Sequence, residues 1–242
     1  MLLTINKISF IIITDGKRPD KFKRLIYSII NQNVPEFEII ISGRLSHYDL
    51  SFIQTLDNSN IHYVDSKKEA DEGKLGQMRN RGCEKARYDL LIVSDDDMVF
   101  QDGFYQAISS YEDYFDVLCP RILNPDGTRF WDWSIKNSNE HRLIEYNEIH
   151  KDQYITGGMC IMKAKTFKQV RWNSDLGFYE GEDVDFSQRL HKEKMVIRFC
   201  SKSTVIHDDH RYTQFRNNVS RYNLFRRIIM RLRQNFENCL RS

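Results

Sequence analysis

The chain predicts an α/β fold with a mostly parallel central sheet and helices on both faces, and three observations predict it. Residues 8–13 form a continuous run rich in β-branched side chains, the pattern of a strand buried on both sides. Between residues 8 and 93, such runs alternate with stretches whose apolar residues recur at helical spacing. The fourth run leads directly into Asp95, Asp96 and Asp97, and ligands of such sheets lie beyond the carboxyl ends of the strands.

The elements follow in order. After the first strand, residues 20–31 place Phe22, Leu25, Ile26, Ile29 and Ile30 on one helical face. Residues 38–41 read as a second strand, 45–56 as a helix and 61–64 as a third strand. Residues 75–86 read as a helix with a basic face, and 90–93 as the fourth strand. The second half is less regular. Asn124-Pro125-Asp126-Gly127 is a turn signal, followed by Phe130, Trp131 and Trp133, and the polar stretch 137–152 reads as a mobile loop. Residues 154–162 are apolar but interrupted by Gly157-Gly158, 183–192 read as a helix, and 196–199 and 204–206 as strands.

The 242 residues suffice for a sizeable core, and one large domain, or one domain over 1–210 plus a tail, is expected. Five cysteines occur singly, with no closely spaced pair, which argues against a disulfide framework or structural zinc site and fits a reducing cytosol. The first apolar run is too short to span a bilayer and has no cleavage-site signature, so the protein is expected to be cytoplasmic, with at most peripheral membrane contact.

Three consecutive carboxylates at the end of a buried strand repel one another unless a cation or hydrogen-bond donors answer them. A hard divalent ion shared with substrate phosphates is one answer, and a solvated acidic turn is the plain alternative. Strand alternation points Asp95 and Asp97 one way and Asp96 the other. A second acidic group, Gly181-Glu182-Asp183-Val184-Asp185-Phe186, lies at the start of a helix, where helix capping also explains carboxylates. His207 closes a short apolar run and adds an imidazole, a common ligand for borderline metals.

Taken together and in order, these residues resemble the GT-A glycosyltransferases, within them the family-2-like group, with galactosyltransferase-like features. Thr14-Asp15-Gly16-Lys17-Arg18-Pro19 resembles the family's nucleotide loop, and Gly76-Gln77-Met78-Arg79-Asn80-Arg81-Gly82 its helix before the metal strand. Asp95-Asp96-Asp97 resembles the DxD motif, Thr156-Gly157-Gly158-Met159 the acceptor-side strand, and Glu182-Asp183 the ED motif. The resemblance covers about residues 8–210 and implies a nucleotide-binding half over about 1–100 and an acceptor-binding half over about 101–210.

It further implies Mn2+ or Mg2+ held by Asp95, Asp97 and His207, and a nucleoside-diphosphate sugar, by default a UDP-sugar, contacted by Thr14, Asp15, Arg18, Arg79, Asp95 and Asp96. Asp183, with Glu182, would serve as the base that accepts the proton of a glycan hydroxyl, with inversion favoured. Trp131, Trp133 and Gly158 fall on the acceptor side, although the two tryptophans read equally well as a small core. One departure is Ile41-Ser42-Gly43-Arg44, where the family carries an acidic pair that touches the nucleoside.

Two enzymatic alternatives remain in view. Asp95 and Asp97 at a strand end also resemble a haloacid-dehalogenase phosphatase motif, and a sugar nucleotidyltransferase uses a similar fold. A non-catalytic binding protein would have no need of the four acidic and histidine positions. Residues 211–242 are arginine-rich, with apolar residues such as Phe215, Tyr222, Phe225 and Ile229 near helical spacing. A basic amphipathic helix there packs on the catalytic domain or a second subunit as in a homodimer, or lies on the inner face of an anionic membrane. Nucleic acid is not the expected partner, since no recognised binding module accompanies the basic run.

Overall fold

The computed structural model describes residues 6–44, 60–111, 114–137, 139–178 and 180–209. The expected helix over 45–56 and the basic tail from 211 lie outside the described residues. The first four strand runs form β1 (Lys7–Thr14), β2 (Glu36–Gly43), β3 (Ile61–Asp65) and β4 (Leu90–Asp95). Between them lie α1 (Pro19–Ile30), α2 (Lys67–Asp71) and α3 (Leu75–Lys85). α1 starts where a helix should, with Pro19 in its first turn and Asp20 beside the positive end of its dipole.

Then come β5 (Met98–Phe100), α4 (Phe104–Ser109), β6 (Val117–Leu123), β7 (Trp133–Lys136), β8 (His141–Leu143) and β9 (Gln153–Ile155). The described chain ends with β10 (Met159–Lys163), α5 (Ala164–Gln169), α6 (Glu182–Lys192) and β11 (Ile197–His207). Among the described residues, eight strands form one sheet in the order β3-β2-β1-β4-β10-β6-β11-β5, and β8-β7-β9 form a second. β1 pairs in parallel with β2 and β4, while β10 runs antiparallel between β4 and β6.

Alternation along β1 builds two cores from one strand. Phe10 and Ile12 face α1, where Phe22, Leu25, Ile26 and Ile29 cover them, while Ile11 faces Cys83 of α3 and the cluster of Phe167, Phe186 and Leu190. Helices therefore cover both faces, and all four described cysteines are free and buried. No helix among the described residues is long and apolar enough to cross a membrane.

The second half departs from the sequence reading in three places. The stretch expected as a loop over 137–152 carries β8, whose three residues pair with β7 to make the second sheet. The two strands expected over 196–199 and 204–206 are one, β11, with a register shift between Cys200 and Thr204. The apolar run over 154–162 splits at Gly157-Gly158, β9 joining the small sheet and β10 the large one.

Candidate active site

The carboxyl ends of β1, β4 and β11 converge on the acidic cluster. β4 ends at Asp95, and Asp96 and Asp97 lie in the turn before β5. The alternation expected for these three residues does not hold, because the strand stops at Asp95: Asp96 and Asp97 share one cation, Arg18, while Asp95 pairs with Arg79. Arg18, at the mouth of α1, ion-pairs with both Asp96 (2.5 Å) and Asp97. Asp96 is fully buried and also accepts a 2.5 Å hydrogen bond from the Thr14 hydroxyl, whose oxygen in turn accepts from the Gly16 amide. Asp15 stands apart at the surface, accepting from the Lys17 amide.

On the other side, His207 is the last residue of β11 and pairs with Met98 across the ladder. Its ring is buried, stacks on Phe130 at 4.1 Å, and brings Nε2 within 3.5 Å of Asp97 Oδ2. The Asp208 amide donates to the Asp97 carbonyl at 2.7 Å, which folds the next residue back over the cluster. As a result, ligand atoms of Asp97, His207 and Asp209 all lie within 4.8 Å of one another. Two carboxylates and one imidazole form a donor set suited to Mn2+ or Mg2+. Lys21 pairs with Asp209 at 3.4 Å, and Arg24 holds Asp208. Asp209 was not singled out from sequence; its signal is the spacing of two residues after His207, readable only once the chain is known to turn back.

Asp95, expected beside Asp97 in the metal set, lies outside this group of three and against Arg79 instead. Arg79 is 1% exposed rather than on a basic helix face, because it lies on the side of α3 that packs on the sheet. Its guanidinium donates to Glu182 (3.1 Å), Asp95 (3.3 Å) and the Gly157 carbonyl (2.7 Å). Burial works against its charge, but Asp95 and Glu182 outweigh burial and hold the guanidinium ionised. Burial also pushes the Asp95 carboxyl up to about 7, with Asp96 and Asp97 adding to the rise and Arg79 opposing it.

Glu182 and Asp183 open α6. The residue before them, Gly181, has φ +80°, a left-handed conformation that favours glycine. Asp183 is therefore past the cap. Its Oδ1 accepts from the Val184 amide at 2.8 Å and its Oδ2 from the Gly157 amide at 3.3 Å. Burial raises its pKa to about 6, Glu182 adds to the rise, and the Val184 amide, Arg79 and Lys136 oppose it. A side chain at Gly157 would crowd the ion pair, since a Cβ would lie 3.1 Å from Glu182 Oε1 and 3.4 Å from Arg79. The Gly158 carbonyl accepts from the Asp95 amide at 2.9 Å, so the glycine pair joins the two acidic groups through its backbone.

The two tryptophans separate. Trp133 is 2% exposed, packed in the core near Phe199, with its indole donating to the Glu148 carbonyl at 2.9 Å. Of the two readings the sequence left level, the core one describes Trp133, whose ring also borders a cavity beside Phe199. Trp131 is half-buried and stacks on His141 of β8 at 4.5 Å.

The site lies where an α/β sheet places its ligands, with two acidic groups held beyond the carboxyl ends of its strands. The chain belongs to glycosyl transferase family 2, whose sequence model matches residues 9–171, more than half of its length. It is 25% identical over 219 residues to the low-salt glycan biosynthesis hexosyltransferase Agl10 of Haloferax volcanii, covering 82% of this chain and 66% of that one. Its fold is shared with GalNAc-T7 crystallised with UDP, GalNAc and Mn2+, at TM-score 0.65 and 15% identity, covering 85% of this chain and 44% of that chain. It is shared too with the mannosyltransferase PcManGT of Pyrobaculum calidifontis in complex with GDP-Man and Mn2+, at TM-score 0.61 and 11% identity, covering 85% and 58%. This chain thus spans less than two thirds of the length of each.

Replacing Arg79 by Met leaves Asp95 and Glu182 packed without their cation. The expected loss is about 3–5 kcal/mol at pH 7, read from the urea midpoint at unchanged slope. The loss should shrink toward pH 5, as the stranded carboxylates take up protons in the folded variant.

Proposed function

We propose that this chain transfers a hexose from a nucleoside-diphosphate sugar to a glycan hydroxyl by single displacement with inversion. The observation that carries the reading is the pairing of a metal-type donor set, Asp97, His207 and Asp209, with a buried carboxylate of raised pKa, Asp183. Support comes from the hexosyltransferase relative and from neighbours whose structures contain UDP or GDP-Man together with Mn2+. The family match spans the DxD residues that also suggested a phosphatase or a nucleotidyltransferase, and favours neither.

In this reading Asp97, His207 and Asp209 would hold a divalent ion, which would supply Lewis-acid neutralisation of the diphosphate charge. Arg18 binds the diphosphate from α1, with Thr14 and Asp96 fixing the loop that presents it. Asp95 stays with Arg79 and shapes the floor between donor and acceptor. Asp183 accepts the proton of the acceptor hydroxyl as its oxygen bonds to the anomeric carbon. The bond from that carbon to the phosphate oxygen breaks on the opposite face, and the nucleoside diphosphate leaves. Glu182 holds Arg79 in place and adds to the rise in Asp183 basicity. Uridine is the base proposed, and Trp131 and Gly158 are assigned to the acceptor side.

Thermal shift with UDP and GDP, each with and without Mn2+, tests the donor half. One nucleotide should stabilise the wild type only with metal, by about 2.7 kcal/mol at a concentration of 100 Kd, and Asp97→Ala should abolish the effect. Absence of a metal-dependent shift with either nucleotide would sink the reading.

For the acceptor half, a base with a pKa of about 6 loses its ionised form as pH falls through that value. The acidic limb of kcat/KM should therefore break near 6, and Asp183→Asn should lower kcat by about 10²–10⁴-fold. A limb near 4 would assign the proton transfer elsewhere.

A further inference from the structure

A cavity of about 470 Å³ opens at the far end of β11 from His207, lined by Tyr111, Tyr114, Tyr146, Phe199, Glu148 and Arg198 among others. Its size falls within the range of small-ligand sites, roughly 300–1,000 Å³. Its walls are held in place. Tyr111 donates its hydroxyl to the Phe199 carbonyl at 2.7 Å, and the Trp133 indole pins the Glu148 backbone. Tyr146 stacks on Phe199 at 4.4 Å, carries the Arg129 guanidinium 4.0 Å from its ring centre, and donates to Asp132 at 3.1 Å.

The lining chemistry selects the ligand. Of the lining rings, Tyr114 stands open to solvent and offers a flat apolar face with a polar tip, whereas Tyr146 is covered by Phe199 on one side and Arg129 on the other; Asn147, Glu148 and Arg198 lie around them. Among the described residues the lining carries one cation and one carboxylate, too little positive charge for a nucleotide or phospholipid headgroup, which calls for several donors of charge. The polar rim also suits an acyl chain poorly. A second copy of the chain would need about 800 Å² per partner, whereas the large apolar side chains left in water on this lining are Tyr114, 71% exposed, and Ile149. Pyranose rings, with apolar C–H faces and a rim of hydroxyls, match what remains.

We infer that this cavity is a binding subsite for a neutral saccharide, holding a remote part of the acceptor glycan while the reacting hydroxyl lies at Asp183. The inference rests on the glycan-acceptor reading above. Phe199 pairs with Cys119 and Ile206 with Leu123, so β6 spans the interval from the cavity to the His207 end of β11 in four residues, about 13 Å at ~3.3 Å each. An acceptor held in the cavity that reaches beyond that end is an oligosaccharide rather than one sugar. Binding energy from such a distant part of a substrate helps to place its reacting end.

Saturation-transfer NMR with linear tetrasaccharides of glucose, mannose, galactose and N-acetylglucosamine tests it on the whole chain. At least one should bind, and its signal should persist in Asp183→Asn and under saturating UDP with Mn2+. Tyr114→Ala, a change at an exposed ring, should weaken that binding about tenfold, or ~1.4 kcal/mol, without lowering the melting temperature. No binding by any of the four, displacement by UDP, or binding unchanged in Tyr114→Ala would overturn the inference. Saccharide binding that persists while no nucleotide binds with metal would sustain this subsite and sink the transferase reading, so the two failures are distinct.

Discussion

The buried guanidinium of Arg79 is the constraint on which the rest of the site depends. It comes from α3, yet it bonds to the end of β4 through Asp95, to the start of α6 through Glu182, and to the turn between β9 and β10 through Gly157. An arginine stripped of water must be answered by carboxylates, and carboxylates in the same place must be answered by a cation. Three segments distant in sequence are therefore fixed to one point. Gly157 accepts from Arg79 through its carbonyl and donates to Asp183 through its amide, so a single residue ties the position of Arg79 to that of Asp183. A planar fork of donors suits this task; a lysine's point charge would reach fewer of the three acceptors.

A second consequence concerns which aspartate joins the group of potential metal ligands. With Asp95 taken by Arg79, the cluster of Asp97, His207 and Asp209 is what remains at the ends of β4 and β11. Arg18 bridges Asp96 and Asp97 across the same turn. A cation and a phosphate arriving together would let Arg18 exchange a carboxylate for a phosphate oxygen with little change in charge. The excess of negative charge in the turn is thus balanced in part by Arg18.

Much of the first half was legible in the sequence, because a strand buried on both faces writes itself as an apolar run and an amphipathic helix as a 3.6-residue period. Residues 8–13 and 90–93 became β1 and β4, and the face of Phe22, Leu25 and Ile26 became the cover of one core. The order of the motifs pointed to the family that the comparison later showed. The rest depends on pairing across long separations, which leaves no local period. β8 has three half-buried residues and acquires its strand character only from β7. Asp209 joins the cluster because of a backbone bond from Asp208 to Asp97, and Trp133 is a core residue because β7 packs inward near Phe199. The burial of Arg79 was likewise invisible, since nothing local says which face of a basic helix meets the sheet.

The account turns on the division of labour between Asp95 and Asp209, and one measurement reads it directly. Crystals soaked with Mn2+ and UDP would show the metal by anomalous scattering. The account predicts a single site ligated by Asp97, His207 and Asp209, with Asp95 still bonded to Arg79. A metal ligated by Asp95 and Asp97, with Arg79 released from Asp95, would contradict it.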